Sequence, residues 1–104
     1  MNKKRQGTYT YIFEYRGGTY CSQVEADSLN DSLFKWVEKL TLEIEDIKYL
    51  SIKGVNQIKE TIKLKNNIPV NITGMTNVWF NIYTIKSGSL FLNIVKTVKE
   101  NECH

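Results

Sequence analysis

The feature that most constrains the fold is the strict alternation of residues 8–15, which two glycines follow almost at once. Because successive side chains of a β-strand point to opposite faces of a sheet, this alternation predicts a strand with one aromatic face. Gly17 and Gly18 tolerate positive φ, as a two-residue hairpin turn requires. We therefore predict a hairpin that turns at Gly17-Gly18 and pairs Tyr15 with Tyr20. The aromatic face of its first strand carries Tyr9, Tyr11, Phe13 and Tyr15.

A first helix is predicted directly after this hairpin, over residues 30–40. Several residues before it are competent N-caps, and we favour Asn30 because Leu29 then packs on Phe34 as a hydrophobic staple. The apolar residues that recur at helical spacing are Leu29, Leu33, Val37 and Leu40.

The middle of the chain is predicted to contain a second, shorter helix after an interruption at Gly54. Residues 42–50 fit either a short helix or a turn-rich bridge, and the pattern leaves both open. Residues 65–74 contain Pro69 and Gly74 and predict a connecting loop. The second helix is indicated by the spacing of Val55, Ile58 and Ile62.

A second hairpin is predicted over residues 77–86 and 90–98, around Ser87-Gly88-Ser89. The length of its loop decides which residues share a face, because a shift of one residue moves a whole strand to the other side. We favour a three-residue loop, since a two-residue loop mixes apolar and polar residues on both faces. One face then carries Val78, Phe80, Ile82, Leu90, Leu92, Ile94 and Val98. The other carries Trp79, Asn81, Tyr83, Ile85, Phe91, Asn93, Val95 and Thr97.

The predicted architecture is therefore α+β, in the order ββααββ. Two hairpins form one antiparallel sheet, and the helices pack on one of its faces. With 104 residues, of which 41% are hydrophobic, the chain is expected to form a single domain over residues 1–104. Residues 1–7 and 99–104 are predicted to be flexible.

The side chains that carry most enzyme chemistry are scarce. The only histidine is His104, and the sequence has no Cys-x-x-Cys, no Gly-x-Ser-x-Gly and no glycine-rich phosphate loop. We therefore expect a protein that is not an enzyme and that has no catalytic, cofactor-binding or metal-binding residues.

Two isolated cysteines, Cys21 and Cys103, suggest free thiols in a reducing cytoplasm. No apolar run is long enough to span a bilayer, so no membrane association is expected.

The most informative feature for function is the face that carries Trp79, Asn81, Tyr83 and Asn93. Aromatic residues interleaved with asparagines suit an interface that must also be stable in water. Three interpretations remain open: another part of the chain covers this face, it binds a second copy or another protein, or it stacks on single-stranded nucleic acid. Nucleic acid is the least favoured partner. The net charge is only +3, and nearly all basic residues are lysines rather than arginines.

We therefore hypothesise a non-catalytic protein-binding or self-associating module, with a weak single-stranded nucleic-acid binder as the alternative.

A resemblance adds to this hypothesis. Residues 11–20 read YIFEYRGGTY, Ser22-Gln23-Val24 follows, and the next helix contains Trp36. Together with Asn77-Val78-Trp79 and residues 93–97, this stretch resembles small uncharacterised bacterial proteins. The resemblance implies a bacterial origin and the ββααββ fold, and it supplies no activity. The first hairpin and helix are also faintly similar to HicB-type antitoxins, which implies an antitoxin-like regulator as a further alternative.

Overall fold

The structure is a computed structural model that describes residues 7–98. It confirms the predicted α+β class, with two hairpins in one antiparallel sheet and helices between them. A short strand also forms inside the predicted 65–74 loop. Gly7, predicted to be flexible, begins the first strand; the other residues predicted to be flexible lie outside the described range. The elements are β1 (Gly7–Tyr15), β2 (Gly18–Ala26), α1 (Leu29–Leu42), a 3-10 turn (Ile44–Asp46), α2 (Ile52–Leu64), β3 (Val70–Asn71), β4 (Val78–Ile85) and β5 (Gly88–Val98).

The sheet has five strands in the order β2-β1-β5-β4-β3, and every neighbouring pair is antiparallel. The pairing of β1 with β5 joins the two hairpins into one continuous sheet. Both helices lie on the same side of it, so one face is buried and the other remains open.

The first hairpin turns one residue earlier than predicted. Arg16 and Gly17 form the turn, with φ of 48° and 87°, and Tyr15 pairs with Gly18. Positive φ is uncommon for arginine, but contacts hold Arg16 in place. Its guanidinium lies 4.2 Å from the centre of the Tyr49 ring, and Nη1 donates to the Ser87 carbonyl at 2.9 Å. The register therefore differs from the prediction by two residues, which leaves the faces of the strands unchanged.

The second hairpin also turns through two residues, Lys86 and Ser87, so the predicted three-residue loop is wrong. Ile85 pairs with Gly88, which is the first residue of β5 rather than the middle of the loop. Gly88 has a φ of 146°, which favours glycine, and a Cβ there would lie 3.3 Å from Cγ of Arg16. Because the loop has two residues rather than three, each β5 side chain lies on the opposite face, relative to the β4 side chains, from the one predicted.

Both helices begin at serine caps. The Ser28 hydroxyl accepts from the Asp31 amide at 3.1 Å, so Asn30, the predicted cap, lies inside α1 instead. In α2 the Ser51 hydroxyl accepts from the Gly54 amide at 3.2 Å, and Gly54 belongs to the first turn rather than interrupting the helix.

The core lies between the helices and the inner face of the sheet, and aromatic side chains dominate it. Trp36 of α1 is fully buried and stacks on the Tyr11 ring, with 4.8 Å between ring centres. The same indole meets the edge of Phe13 and lies 6.1 Å from the Tyr83 ring. Such rings bury large apolar areas and pair in preferred geometries, so a few of them stabilise a small core. The aromatic face predicted for β1 therefore packs against α1.

Candidate interaction surface

The sheet face opposite the helices, here called the open face, is built from alternate residues of every strand. These positions face solvent because the intervening residues point into the core. Its members are Thr8, Thr10, Ile12 and Glu14 from β1; Thr19, Cys21, Gln23 and Glu25 from β2; Val70 from β3; Val78, Phe80, Ile82 and Thr84 from β4; and Ser89, Phe91, Asn93, Val95 and Thr97 from β5.

One row of directly paired residues crosses the whole open face. Each strand contributes one residue, and the central one comes from β5, the middle strand of the sheet. In spatial order the row is Cys21, Ile12, Asn93, Phe80 and Val70. The centre of the face is therefore an asparagine with an apolar side chain on each side.

A contiguous apolar patch surrounds that asparagine. Phe91 and Val95 lie two residues before and after it on β5, and Phe80 pairs with it on β4. Phe91 is 48% exposed and Phe80 is 38% exposed, while Ile12 and Ile82 are exposed by 37% and 36%. Scattered apolar side chains are normal on a protein surface, whereas continuous apolar patches are typical of interaction surfaces.

Three of the four predicted surface residues lie on the other side of the sheet. Tyr83 and Asn81 are buried, at 2% and 6% exposure, and the half-buried Trp79 packs 6.3 Å from the Tyr9 ring. The Asn81 amide donates to the Asn67 carbonyl at 3.1 Å, which satisfies it inside the structure. Asn93 alone lies on the open face. The four residues therefore do not form one surface, because the two-residue turn places β4 and β5 in a different relative register.

The residues of the apolar patch that the sequence analysis did not place beside Asn93 are Ile12, Phe80 and Ile82. The sequence signal for this arrangement is Gly88. A glycine can adopt a positive φ at the first residue of a strand after a two-residue turn, and a turn of that length would have placed Phe80 and Ile82 on the face of Asn93. That register pairs Phe80 with Asn93 and Ile82 with Phe91.

The open face lacks positive charge within the described residues. The five strands contain one basic residue, Lys96, and its ammonium lies on the helix side, 5.7 Å from the centre of the Tyr9 ring. The charged side chains on the open face are the carboxylates Glu14 and Glu25. Exposed lysines instead decorate the helices, among them Lys35, Lys53, Lys59 and Lys63. The lysines of the helices therefore lie on the opposite side of the sheet from the open face.

Side chains block the β2 edge of the sheet. The ammonium groups of Lys35 and Lys39 reach from α1 and donate to the Glu25 and Gln23 carbonyls at 3.0 and 2.8 Å. These carbonyls point away from β1, where an added strand would bind. Lysine side chains at a sheet edge, and a helix that covers the edge, are recognised defences against further strand pairing.

The opposite edge is capped as well. Beyond the two-residue β3, the Asn67 side-chain amide donates to the Ile82 carbonyl at 2.7 Å. The Asn71 side chain and the Ile72 backbone amide both donate to the Val78 carbonyl, at 3.0 and 2.9 Å. Groups within the chain therefore occupy the outward carbonyls of β4 that another strand would use.

A second candidate is a depression of about 390 Å³ at the start of α2, lined in part by Lys53 and Lys86. Two cations beside a helix N-terminus favour an anion in principle. The nearby polar groups are already bonded, however, since Ser51 caps the helix and the Gln57 side-chain oxygen accepts from the Lys86 amide at 3.1 Å. The depression therefore offers a weaker basis for function than the open face.

Comparisons with models of known families, with curated proteins and with solved structures found no match to this chain. The resemblances to small bacterial proteins and to HicB-type antitoxins therefore remain predictions. Among residues 7–98, no helix is long and apolar enough to cross a membrane.

Proposed function

We propose that the protein is a non-catalytic binding module whose open face associates with a flat, uncharged surface of a folded protein. The observation that supports this function best is the continuous apolar patch formed by Ile12, Phe80, Ile82 and Phe91. Protein interfaces have an apolar, aromatic core and a polar rim. The open face has a similar arrangement along both ends of its strands, where threonines, serine and glutamates flank its apolar centre.

Electrostatics favour a protein over a single-stranded nucleic acid on this face. Nucleic-acid platforms combine stacking aromatic rings with lysines or arginines that neutralise the phosphates. Phe80 and Phe91 offer rings, but the charges nearby are the carboxylates Glu14 and Glu25, which repel phosphate. The lysines of the helices lie on the far side of the sheet, where they cannot assist.

The capped edges also favour binding through the face rather than by strand addition. A peptide that joins a sheet needs a row of free backbone groups along an edge strand. Lys35 and Lys39 occupy two such carbonyls on β2, and Asn67 and Asn71 occupy two on β4. The open face is then the apolar sheet surface that a partner can reach.

The proposal can be tested by site-specific photocrosslinking in cells that express the full chain. A benzophenone amino acid is placed at Ile82 on the open face or, as the matched control, at the exposed Lys59 of α2. We expect a discrete protein adduct from position 82 that Phe91→Asp abolishes, and none from position 59. Equal adducts from both positions, or an adduct at position 82 that survives Phe91→Asp, would overturn the proposal.

A titration with a fluorescent single-stranded oligonucleotide tests the competing nucleic-acid function. We expect no binding that depends on the open face. Binding that weakens steeply with salt and is lost in Phe80→Asp would instead support the nucleic-acid function, because phosphate contacts release counterions.

A further inference from the structure

We infer that the partner is a second copy of this chain, packed open face to open face about a two-fold axis that passes beside Asn93. This inference rests on the proposed function and names the partner of the same surface. Three features support it: the charge pattern of the face, its area, and the chemistry of its central residue.

The charge pattern suits self-association. Two identical faces can pack together only if no charge at the centre meets its own copy, and the central row from Cys21 to Val70 is uncharged. A strongly basic or acidic partner would find little to pair with there. The exposed lysines of α2, Lys53, Lys59 and Lys63, lie on the side of the sheet opposite to a face-to-face partner. Such a dimer therefore does not bring these lysines against their copies.

The glutamate nearest to the centre also avoids its own copy. Packed sheets prefer strand directions within about 30° of each other, which orients the two-fold axis roughly along or across the strands. Glu14 lies diagonally from Asn93, on the neighbouring strand and one row away. Rotation about either axis brings it opposite Thr10 or Ile82 of the other copy rather than opposite a second carboxylate.

The area of the open face is enough for a dimer of moderate stability. Five strands about 4.8 Å apart, which average about eight residues at about 3.3 Å each, give a face of roughly 600 Å². A face-to-face pair then buries about 1,200 Å² in total, the lower end of the range for specific interfaces. We therefore expect a dimer whose population depends on protein concentration.

The central residue fits a position on a symmetry axis. When the two-fold axis passes through the centre of the face, that centre meets its own copy, whatever direction the axis takes within the plane. An asparagine amide both donates and accepts hydrogen bonds, so two of them can form a reciprocal pair. One polar residue in an otherwise apolar interface is also a known means of fixing register and oligomeric state. Asn93 has this position and this chemistry.

The segments outside the described residues are poor alternatives as a cover for the apolar patch. In sequence, residues 1–6 include Lys3, Lys4 and Arg5, and residues 99–104 include Lys99, Glu100 and Glu102. Charged side chains do not complement an apolar centre, whereas a second copy of the same patch does.

The test introduces a positive or a negative charge at Asn93 in the full chain. Sedimentation velocity measures the dimer dissociation constant of the wild type, of N93K, of N93D and of an equimolar mixture of the two variants. We expect the dimer of each single variant to weaken at least about tenfold, because two like charges meet in a desolvated contact. The mixture is expected to regain dimers as heterodimers, since opposite charges then meet. The matched control introduces the same two substitutions, Asn to Lys and Asn to Asp, at the exposed Asn56 of α2. These variants should have the dimer dissociation constant of the wild type.

Different outcomes separate this inference from the proposed function. If the wild type stays monomeric at every concentration while position 82 still crosslinks to another protein, the second copy is wrong and the proposed function stands. If F91D abolishes the dimer but both Asn93 variants retain it, the open face is the interface and the axis lies elsewhere. If F91D and the Asn93 variants all dimerise like the wild type, the dimer does not use the open face, and this inference falls.

Discussion

Two buried tyrosines beneath the helices differ in what their hydroxyl groups contact. The Tyr11 hydroxyl lies 2.6 Å from the Ser32 hydroxyl, which donates in turn to the Leu29 carbonyl at 2.7 Å. Within residues 7–98 no group makes a well-formed hydrogen bond with the buried Tyr83 hydroxyl, and the Asn81 side chain near it only partly offsets the effect of burial on its pKa. A buried polar group without a partner lowers stability, whereas a bonded one is close to neutral or favourable.

The same substitution at the two positions should therefore have different effects. Tyr11→Phe removes a buried hydrogen bond and should lower the free energy of unfolding by about 1 kcal/mol. Tyr83→Phe removes a hydroxyl that has no well-formed hydrogen bond and should leave the free energy of unfolding unchanged or slightly increased. Urea denaturation at pH 7 measures both. A loss for Tyr83→Phe as large as that for Tyr11→Phe would mean that the Tyr83 hydroxyl has a partner in solution.

The pH dependence of stability belongs to the same two residues. Burial raises the pKa of both the Tyr11 and the Tyr83 hydroxyl above the ordinary value of 10.0, so the folded state disfavours the phenolate. The unfolded chain ionises first, and stability should stay constant below about pH 10 and fall above it. Thermal denaturation from pH 8 to 11 tests this prediction. The double variant Tyr11→Phe with Tyr83→Phe should lose less stability over that interval than the wild type.

At the scale of elements, how far the sequence predicts the structure depends on how many faces of each strand are apolar. In β1 one face is aromatic and the other mostly polar, so a register error of two residues left every side chain on its predicted face. In β4 and β5 both faces carry large apolar residues, and hydrophobicity alone does not choose between registers. Tertiary packing makes that choice, because Tyr83 and Trp79 fit against Trp36 and Tyr9.

The same uncertainty about the register of β4 and β5 affected the prediction of the candidate site. The sequence predicted that a second sheet face would be partly apolar, and the structure has such a face, but among the four residues singled out from the sequence only Asn93 belongs to it. The loop length decides the remaining members, and Arg16 contributes by packing against Gly88 from the other hairpin. Contacts between residues so distant in sequence leave no local periodic pattern to read.

The β2 edge leads to a prediction about aggregation. Replacing Lys35 and Lys39 by alanine frees the outward carbonyls of Gln23 and Glu25, which should promote pairing of strands between molecules. Thioflavin fluorescence on prolonged incubation should rise faster than for the wild type. Lys53→Ala with Lys59→Ala removes the same charge from α2 and should behave like the wild type. Equal aggregation of both double variants would attribute the effect to charge alone.

At the scale of the whole molecule, folding and association are coupled if the dimer forms. A dimer stabilises the folded state by mass action, so the melting temperature must rise with protein concentration. For a chain of this size, a hundredfold increase in concentration should raise the melting temperature by roughly 5 °C. Phe91→Asp should melt at one temperature throughout, because its folded state stays monomeric. A wild type whose melting temperature does not change with concentration would contradict a stable dimer.

The placement of the two indoles has a practical consequence for following this protein in solution. Trp36 and Trp79 both lie on the helix side of the sheet, so their ultraviolet emission reports on how the helices sit against it. Unfolding should shift that emission to longer wavelength, whereas a molecule docking on the opposite side leaves the indole surroundings intact. The wavelength of tryptophan emission therefore reports on whether the chain is folded. The hydrodynamic size reports separately on whether it is bound to another molecule.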